Sequence, residues 1–224
     1  MEGLIKKLYY NELISHLFHT LLYCLKQELK ECQSVLDLGC GPDSPVKYCN
    51  LEYSVGVDAF KLYIQESKKK KIHNKYLLKD ITKTDFKPKS FDAVIMIDVL
   101  EHLEKKQGEK LLEKAEKWAK KKVIVSAPVG FLPQASIDDN PFQSHRSGWA
   151  VEEMEKLGYK AHGMAGWKFL RRGSTLEEGY QEGDIFATIR FSPKIFWLII
   201  SELTQAIIYY FPKLAFEAFY VKNL

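Results

Sequence analysis

The chain has 224 residues, 46% of them hydrophobic and 28% charged, with a formal net charge of +4. That length suits one globular domain with a sizeable core, and the composition excludes a disordered chain. The charge is too mild to point to nucleic acid as a partner.

Apolar residues recur at Leu13, Ile14, Leu17, Phe18, Leu21, Leu22, Leu25 and Leu29. This 3.6-residue period predicts an amphipathic helix over roughly the first thirty residues. The leading residues lack a continuous apolar stretch and a small-residue cleavage site, so no signal peptide is expected. Five short apolar runs follow: SVLDLG at 34–39, YSVGVD at 53–58, KYLLKD at 75–80, FDAVIMID at 91–98 and KVIVSAP at 122–128. Helical stretches separate most of them, the clearest at 105–121. Strand and helix in alternation, with continuous rather than alternating apolar strands, predict a parallel sheet covered on both faces.

Past Gly148 the pattern changes. WAVEEMEKLGY reads as a helix, while KAHGMAGWKF and DIFATIRF read as a final pair of strands. Residues 192–224 read as mostly apolar helix. The expected fold is therefore α/β: a Rossmann-like, doubly wound, mostly parallel sheet of seven strands with the last pair antiparallel. An N-terminal helix precedes the sheet. The expected organisation is a domain at 1–192 and an apolar helical extension at 193–224. The four cysteines, Cys24, Cys32, Cys40 and Cys49, form no CxxC pair and no histidine follows them at ligand spacing. They are expected to be free thiols in the reducing cytoplasm, and no metal site is expected.

Ligands of open α/β sheets bind at the carboxyl ends of the strands. Four aspartates stand at or near such ends: Asp37, Asp58, Asp80 and Asp98. Capping and turn formation account for any one of them, but less well for all four on successive strands. The segment VLDLGCGPDSP lacks the third glycine of a dinucleotide fingerprint and has no following G-K-[ST]. Asp43 would also oppose a phosphate. The ligand predicted here is a nucleoside without phosphates, preferably cationic, and S-adenosylmethionine has that chemistry.

At these blocks, VLDLGCGPDSP, VGVD, LLKDIT and FDAVIMIDVLEHL, the chain resembles the class I S-adenosylmethionine-dependent methyltransferases over about 35–128. The resemblance implies S-adenosyl-L-methionine as cofactor. It also implies that Gly39, Cys40 and Gly41 form the loop beside the methionyl part, and that Asp37 supports that loop or the ammonium group. Asp58, followed by Ala59, would accept hydrogen bonds from the ribose hydroxyls. Asp80 would receive the adenine amino group, with the Ile81 amide against the ring. Asp98, Val99 and His102 would line the pocket near the sulfonium.

The segment IDVLEHL stands where base-amino methyltransferases often carry Asn/Asp-Pro-Pro-Tyr, which argues against amino-group methylation of DNA or RNA. It resembles instead methyltransferases of small molecules and lipid precursors. The long loop after the fifth strand, APVGFLPQASIDDNPFQSHRSGW, resembles one in bacterial and archaeal methyltransferases with an Asn-Pro-aromatic-Gln-x-His-x-Ser-x-Trp stretch. His145 in that loop and His102 compete as general base, imidazole being near-neutral in pKa. His145 and Trp149 are also readable as residues that pin the loop. The expected function is methyl transfer to a small-molecule or lipid- or sugar-linked acceptor at oxygen. Alternatives are an RNA or protein methyltransferase and a methyltransferase-like protein without turnover. For 195–211 three readings stay open: a lid packed on the domain, a homodimer interface, or peripheral contact with a membrane surface. Its polar side should carry Ser201, Glu202 and Gln205, with the apolar remainder covered.

Overall fold

The computed structural model describes residues 12–134, 140–172 and 188–224. Seven strands form one sheet: β1 (Ser34–Leu38), β2 (Tyr53–Asp58), β3 (Lys75–Leu78), β4 (Phe91–Ile97), β5 (Ala119–Pro128), β6 (Lys160–Trp167) and β7 (Ala215–Asn223). Their spatial order is β3-β2-β1-β4-β5-β7-β6. The first five strands pair in parallel, and β7 runs antiparallel to both β5 and β6. The helices are α1 (Glu12–Leu17), α2 (Leu21–Leu29), α3 (Lys61–Lys69), α4 (Lys105–Trp118), α5 (Val151–Lys156) and α6 (Lys194–Ile208).

The continuous apolar strands are explained by burial on both sheet faces. Leu36, Val94, Met96, Val125 and Tyr220 pack into one core with Leu111, Leu112, Ala115 and Trp118 of α4. Their neighbours Val35, Ala93, Ile95, Ile124 and Phe219 pack into the other with Leu25 and Leu29 of α2. Successive side chains point to opposite faces, so a strand buried on both sides needs an unbroken apolar run. The strand order reverses between β1 and β4, and this switch point opens a crevice at the strands' carboxyl ends.

Three sequence expectations change. The single N-terminal helix is, within the described residues, two: the chain turns at His19, with φ +47, and Thr20 Oγ1 caps α2 by accepting from the Tyr23 amide at 3.3 Å. The seventh described strand is Ala215–Asn223, where DIFATIRF was expected. Residues 184–187 lie outside the described residues, and Ile189 makes only an isolated bridge to Arg171. The strand comes instead from the segment expected to be helical throughout. Helix α6 ends before Pro212, and the aromatic-rich run at Ala215–Asn223 enters the sheet between β5 and β6.

The third change concerns the facing of α6. Ser201 and Gln205 are buried, whereas Ile195, Phe196, Ile199, Leu203 and Ile207 are exposed. The reason lies in β6, which pairs with β7 on one side and would leave its other edge unbonded. Gln205 Oε1 accepts from the Gly166 amide at 2.8 Å, and its Nε2 donates to the Gly163 carbonyl at 3.0 Å. The Trp167 amide donates to Thr204 Oγ1 at 3.0 Å. The helix backbone comes so close that a Cβ on Gly163 would collide with the Ile208 carbonyl. The polar stripe thus replaces a missing strand, and the apolar face turns outward. No described helix is long and apolar enough to cross a membrane.

This arrangement predicts that Gln205→Leu costs roughly 2–4 kcal/mol by leaving two buried backbone groups unpaired. Ile199→Gln should change stability by less than about 0.5 kcal/mol. Denaturant midpoints of the two variants check this, and the reverse ranking would put the apolar face inside.

Candidate functional site

The crevice at the switch point is built from chain reversals at the ends of β1, β2 and β4. After β1, the Gly39 and Cys40 amides both donate to the Val57 carbonyl, at 2.8 and 3.0 Å, folding the loop back over β2. Gly39 has φ +71, and a Cβ there would lie 2.6 Å from Val99 Cγ2, so only glycine fits. Gly41, at φ +56, has open space where its Cβ would be. Asp58 fixes the same loop: its Oδ2 accepts from the Gly41 amide at 2.9 Å and its Oδ1 from Phe60 at 2.8 Å.

Two cavities meet at this loop. The smaller, about 160 Å³, is bounded by Asp58, Ala59, Asp80, Ile81, Val99 and Arg146. The larger, about 580 Å³, is bounded by Asp37, Glu101, His145 and Glu217, among others. Gly39, Gly41, Asp98, His102 and Gln143 border both. The structure therefore brings together every residue proposed from the sequence, though not in equivalent positions. Cys40 is buried beside Gly56 and His73, and burial pushes its thiol far up, which makes it an inert packing group. Asp80 also caps a short helical turn, its Oδ1 accepting from the Thr82 amide at 2.9 Å and the Thr82 hydroxyl at 2.7 Å.

Asp37 works behind the loop. Ser44 Oγ donates to its Oδ2 at 2.5 Å, and His73 Nε2 lies 3.4 Å from the same oxygen. A charged ion pair is not what this geometry holds. Burial pushes the Asp37 carboxyl up to about 7 and the His73 imidazole down to about 4, so both favour their neutral forms. Neither buried ring nor buried carboxyl has water to support a charge.

Asp98 follows β4 with φ +54, a left-handed conformation that aspartate tolerates better than most residues. Its amide donates to the Ser126 carbonyl at 3.0 Å, and its Oδ1 accepts from Ser126 Oγ at 3.0 Å. It is exposed, but to the junction of the two cavities, and the surrounding protein pushes its carboxyl above the usual carboxylate range.

Three residues on, Glu101 is fully enclosed, and burial and the Asp98 charge push it well up. Its Oε2 has no hydrogen-bond partner among the described residues. The Glu101 carbonyl accepts from the Arg146 amide at 2.7 Å and the Ser147 amide at 3.1 Å. Those bonds clamp the long loop so that His145 reaches His102, with ring centroids 4.9 Å apart. Trp149 anchors the same loop: it is buried, stacks against Gly108, and donates from Nε1 to Ser147 Oγ at 3.1 Å. Burial pushes His102 down to about 4 and also lowers His145, rather than leaving either near neutrality as sequence suggested.

Sequence reasoning gave no role to two residues. Glu101 stood inside the quoted IDVLEHL block, where its spacing from Asp98 was the available signal. Glu217 lay in a segment read as helix. Its place opposite Pro128 on β5 aims it at the larger cavity, where burial pushes it up to about 8.

Residues 36–126 match a family model described as a methyltransferase domain. Over 109 residues the chain is 33% identical to (S)-coclaurine N-methyltransferase of Thalictrum flavum subsp. glaucum, covering 45% of this chain and 29% of that protein. It is 29% identical over 106 residues to (S)-tetrahydroprotoberberine N-methyltransferase of Eschscholzia californica, covering 43% and 29%. The chain thus spans under a third of the length of these curated relatives. A SAM dependent methyltransferase from Archaeoglobus fulgidus shares the fold, with a TM-score of 0.53 at 19% identity over 96% of this chain and 100% of that one.

The neutral state of His73 makes stability pH-dependent. Its folded pKa lies below the ordinary 6.5, so the unfolded chain takes up the proton first as pH falls. The contribution is present above about 6.5 and lost toward pH 4, on the order of 3 kcal/mol in all. Asp37, pushed up to about 7, gains stability over the same fall in pH, so the His73 share is read as the difference between wild type and His73→Asn in denaturant unfolding at pH 7.5 and 4.5. An unchanged acid limb in that variant would assign the acid sensitivity to other groups.

Proposed function

Because the chain carries a class I S-adenosylmethionine-dependent methyltransferase domain, we propose that it transfers the methyl group to an oxygen atom of a small-molecule acceptor held in the larger cavity. The observation that carries this reading is the convergence of Glu101, His102 and His145 where the two cavities join. A hydroxyl acceptor must lose its proton as it is methylated, and such a cluster suits that need.

The chain's residues fit S-adenosylmethionine. Asp58 is held by two amides and keeps lone pairs for a ribose diol at the smaller cavity. The open space at Gly41 admits the methionyl part. Asp98 borders both cavities, on the side where a sulfonium would stand. The cofactor supplies an electrophilic methyl group. The protein's task is to hold the acceptor atom in line with it and to keep competing water out.

A second reading, methylation of an amine nitrogen, has its own support. Asp37, Asp43, Asp98, Glu101 and Glu217 border the larger cavity, and no described lysine or arginine does. A cationic amine would suit that wall. The two plant relatives are named as N-methyltransferases. Such a cationic amine must give up a proton to free its lone pair, and the same cluster can accept it. The cavity wall supports neither an anionic acceptor nor a nucleic-acid backbone.

Two measurements test these statements. In calorimetry, S-adenosylhomocysteine should bind, and Asp58→Ala should weaken it by about 1.5–3 kcal/mol, the range for bonds to a charged group. Tight NADH binding with none of the adenosyl compound would overturn the cofactor assignment. In a metabolite screen with labelled methyl donor, hydroxyl compounds should take the label, and His145→Ala should lower turnover by roughly 100-fold with little change in cofactor affinity. Label found only in amines would favour the nitrogen reading.

A further inference from the structure

We propose that Glu101, His102 and His145 form a binding site for one divalent transition-metal cation, with its open positions facing the larger cavity. Each residue offers one ligand atom, and these atoms all lie within 4.8 Å of one another. Ligands about 2.1 Å from a common ion stand roughly 3–4.2 Å apart, so small side-chain rotations complete the set.

Three independent features prepare these groups as ligands. His145 Nδ1 lies 2.6 Å from the Leu132 carbonyl, and His102 Nδ1 lies 3.4 Å from the Ser144 carbonyl. A ring that donates from Nδ1 keeps its lone pair on Nε2, and such carbonyl contacts typically orient metal-binding imidazoles. Glu101 Oε2 is buried and unpartnered among the described residues. A buried carboxylate in that state is costly, and a cation is the direct remedy. The backbone clamp from Arg146 and Ser147 to the Glu101 carbonyl fixes the register in which the two histidines meet.

Two imidazoles and one carboxylate suit Mn²⁺, Fe²⁺, Co²⁺ or Zn²⁺ better than Mg²⁺ or Ca²⁺. Three protein ligands leave positions for an acceptor oxygen. This deepens the oxygen reading and rests on it for its chemical role: the imidazoles act by coordination, not as bases. The coordinated hydroxyl loses its proton to water. The new O–CH₃ bond then forms as the S–CH₃ bond breaks, and the electron pair of that bond stays on sulfur.

The test uses tag-free, EDTA-treated full-length protein. Calorimetry with Mn²⁺ and visible absorption with Co²⁺ should each report one site per chain. Glu101→Gln and His145→Asn should each weaken binding by about 100-fold. The S-adenosylhomocysteine affinity of both variants should stay within about twofold, which confirms that they fold. Absence of stoichiometric binding by the wild type, or binding that survives both substitutions, would overturn the site. The site and the oxygen reading fail separately. Hydroxyl methylation at full rate in EDTA removes the cation's role and keeps the reading. Stoichiometric Co²⁺ binding without any hydroxyl acceptor keeps the site and removes the reading.

Discussion

Carboxyl groups crowded into one space, with no described lysine or arginine on its wall, are the constraint around which this molecule is arranged. Asp98, Glu101 and Glu217 border the same cavity; burial pushes each up, and the Asp98 charge adds to this for Glu101 and Glu217. Separating or exposing them would be favourable, so other interactions must hold them together. Ser126 does so for Asp98, and the pairing of β7 with β5 does so for Glu217. Arg171 is the cation near Glu217, yet it is directed elsewhere. Its Nη2 lies 2.7 Å from Glu202 Oε1, and it donates to Ser201 and Thr188 as well. The cavity therefore keeps its acidic groups without a guanidinium partner while Arg171, outside it, binds α6.

The same economy governs the long loop after β5. Its described residues gain their order from groups that belong to the helix start after β4. Lys105 Nζ donates to the Gly148 carbonyl at 2.8 Å, contacts Glu153 at 2.8 Å, and stands 3.7 Å from the Trp149 ring centre. Gly108 leaves the space that the indole fills. A reactive group on a loop is useful only if its position is fixed, because misplacement by about 1 Å can cost on the order of 100-fold in rate. Trp149 and Lys105 supply that fixation, and His145 inherits it. Of the two residues that the sequence offered as anchors, Trp149 holds the loop to α4, and His145 is carried to the border of the larger cavity.

The sheet was legible because burial on both faces demands unbroken apolar runs, and β1, β2, β4 and β5 carry them. The row of strand-end aspartates was legible because the topology forces strand ends to one side. What escaped depended on contacts between distant segments. Residues 215–223 form a strand because β5 and β6 offer two unpaired edges, and nothing local in an apolar aromatic run distinguishes that fate from a helix. The polar stripe of α6 looked like a solvent face, since Gln205 has no local sign that it must satisfy Gly163 and Gly166. Histidine spacing excluded a metal site among the cysteines, but Glu101 and His102 meet His145 only through the backbone clamp.

Charge flow gives the acidic wall a direction. When a neutral amine is methylated from a sulfonium, positive charge leaves the sulfur and appears on the acceptor nitrogen before its proton departs. Asp98 stands between the two cavities, whereas Glu101 and Glu217 border only the larger one. Carboxyl groups therefore extend beyond the donor side into the space where the acceptor charge develops, and a cation arriving there favours their ionised forms. Fixed groups placed at the destination of a moving charge favour the transition state over the ground state. A wall confined to Asp98 would instead hold the donor's charge in place and oppose transfer. Glu217, delivered by a strand that the fold inserts between β5 and β6, extends the wall past the donor, so the antiparallel end of the sheet is part of the site.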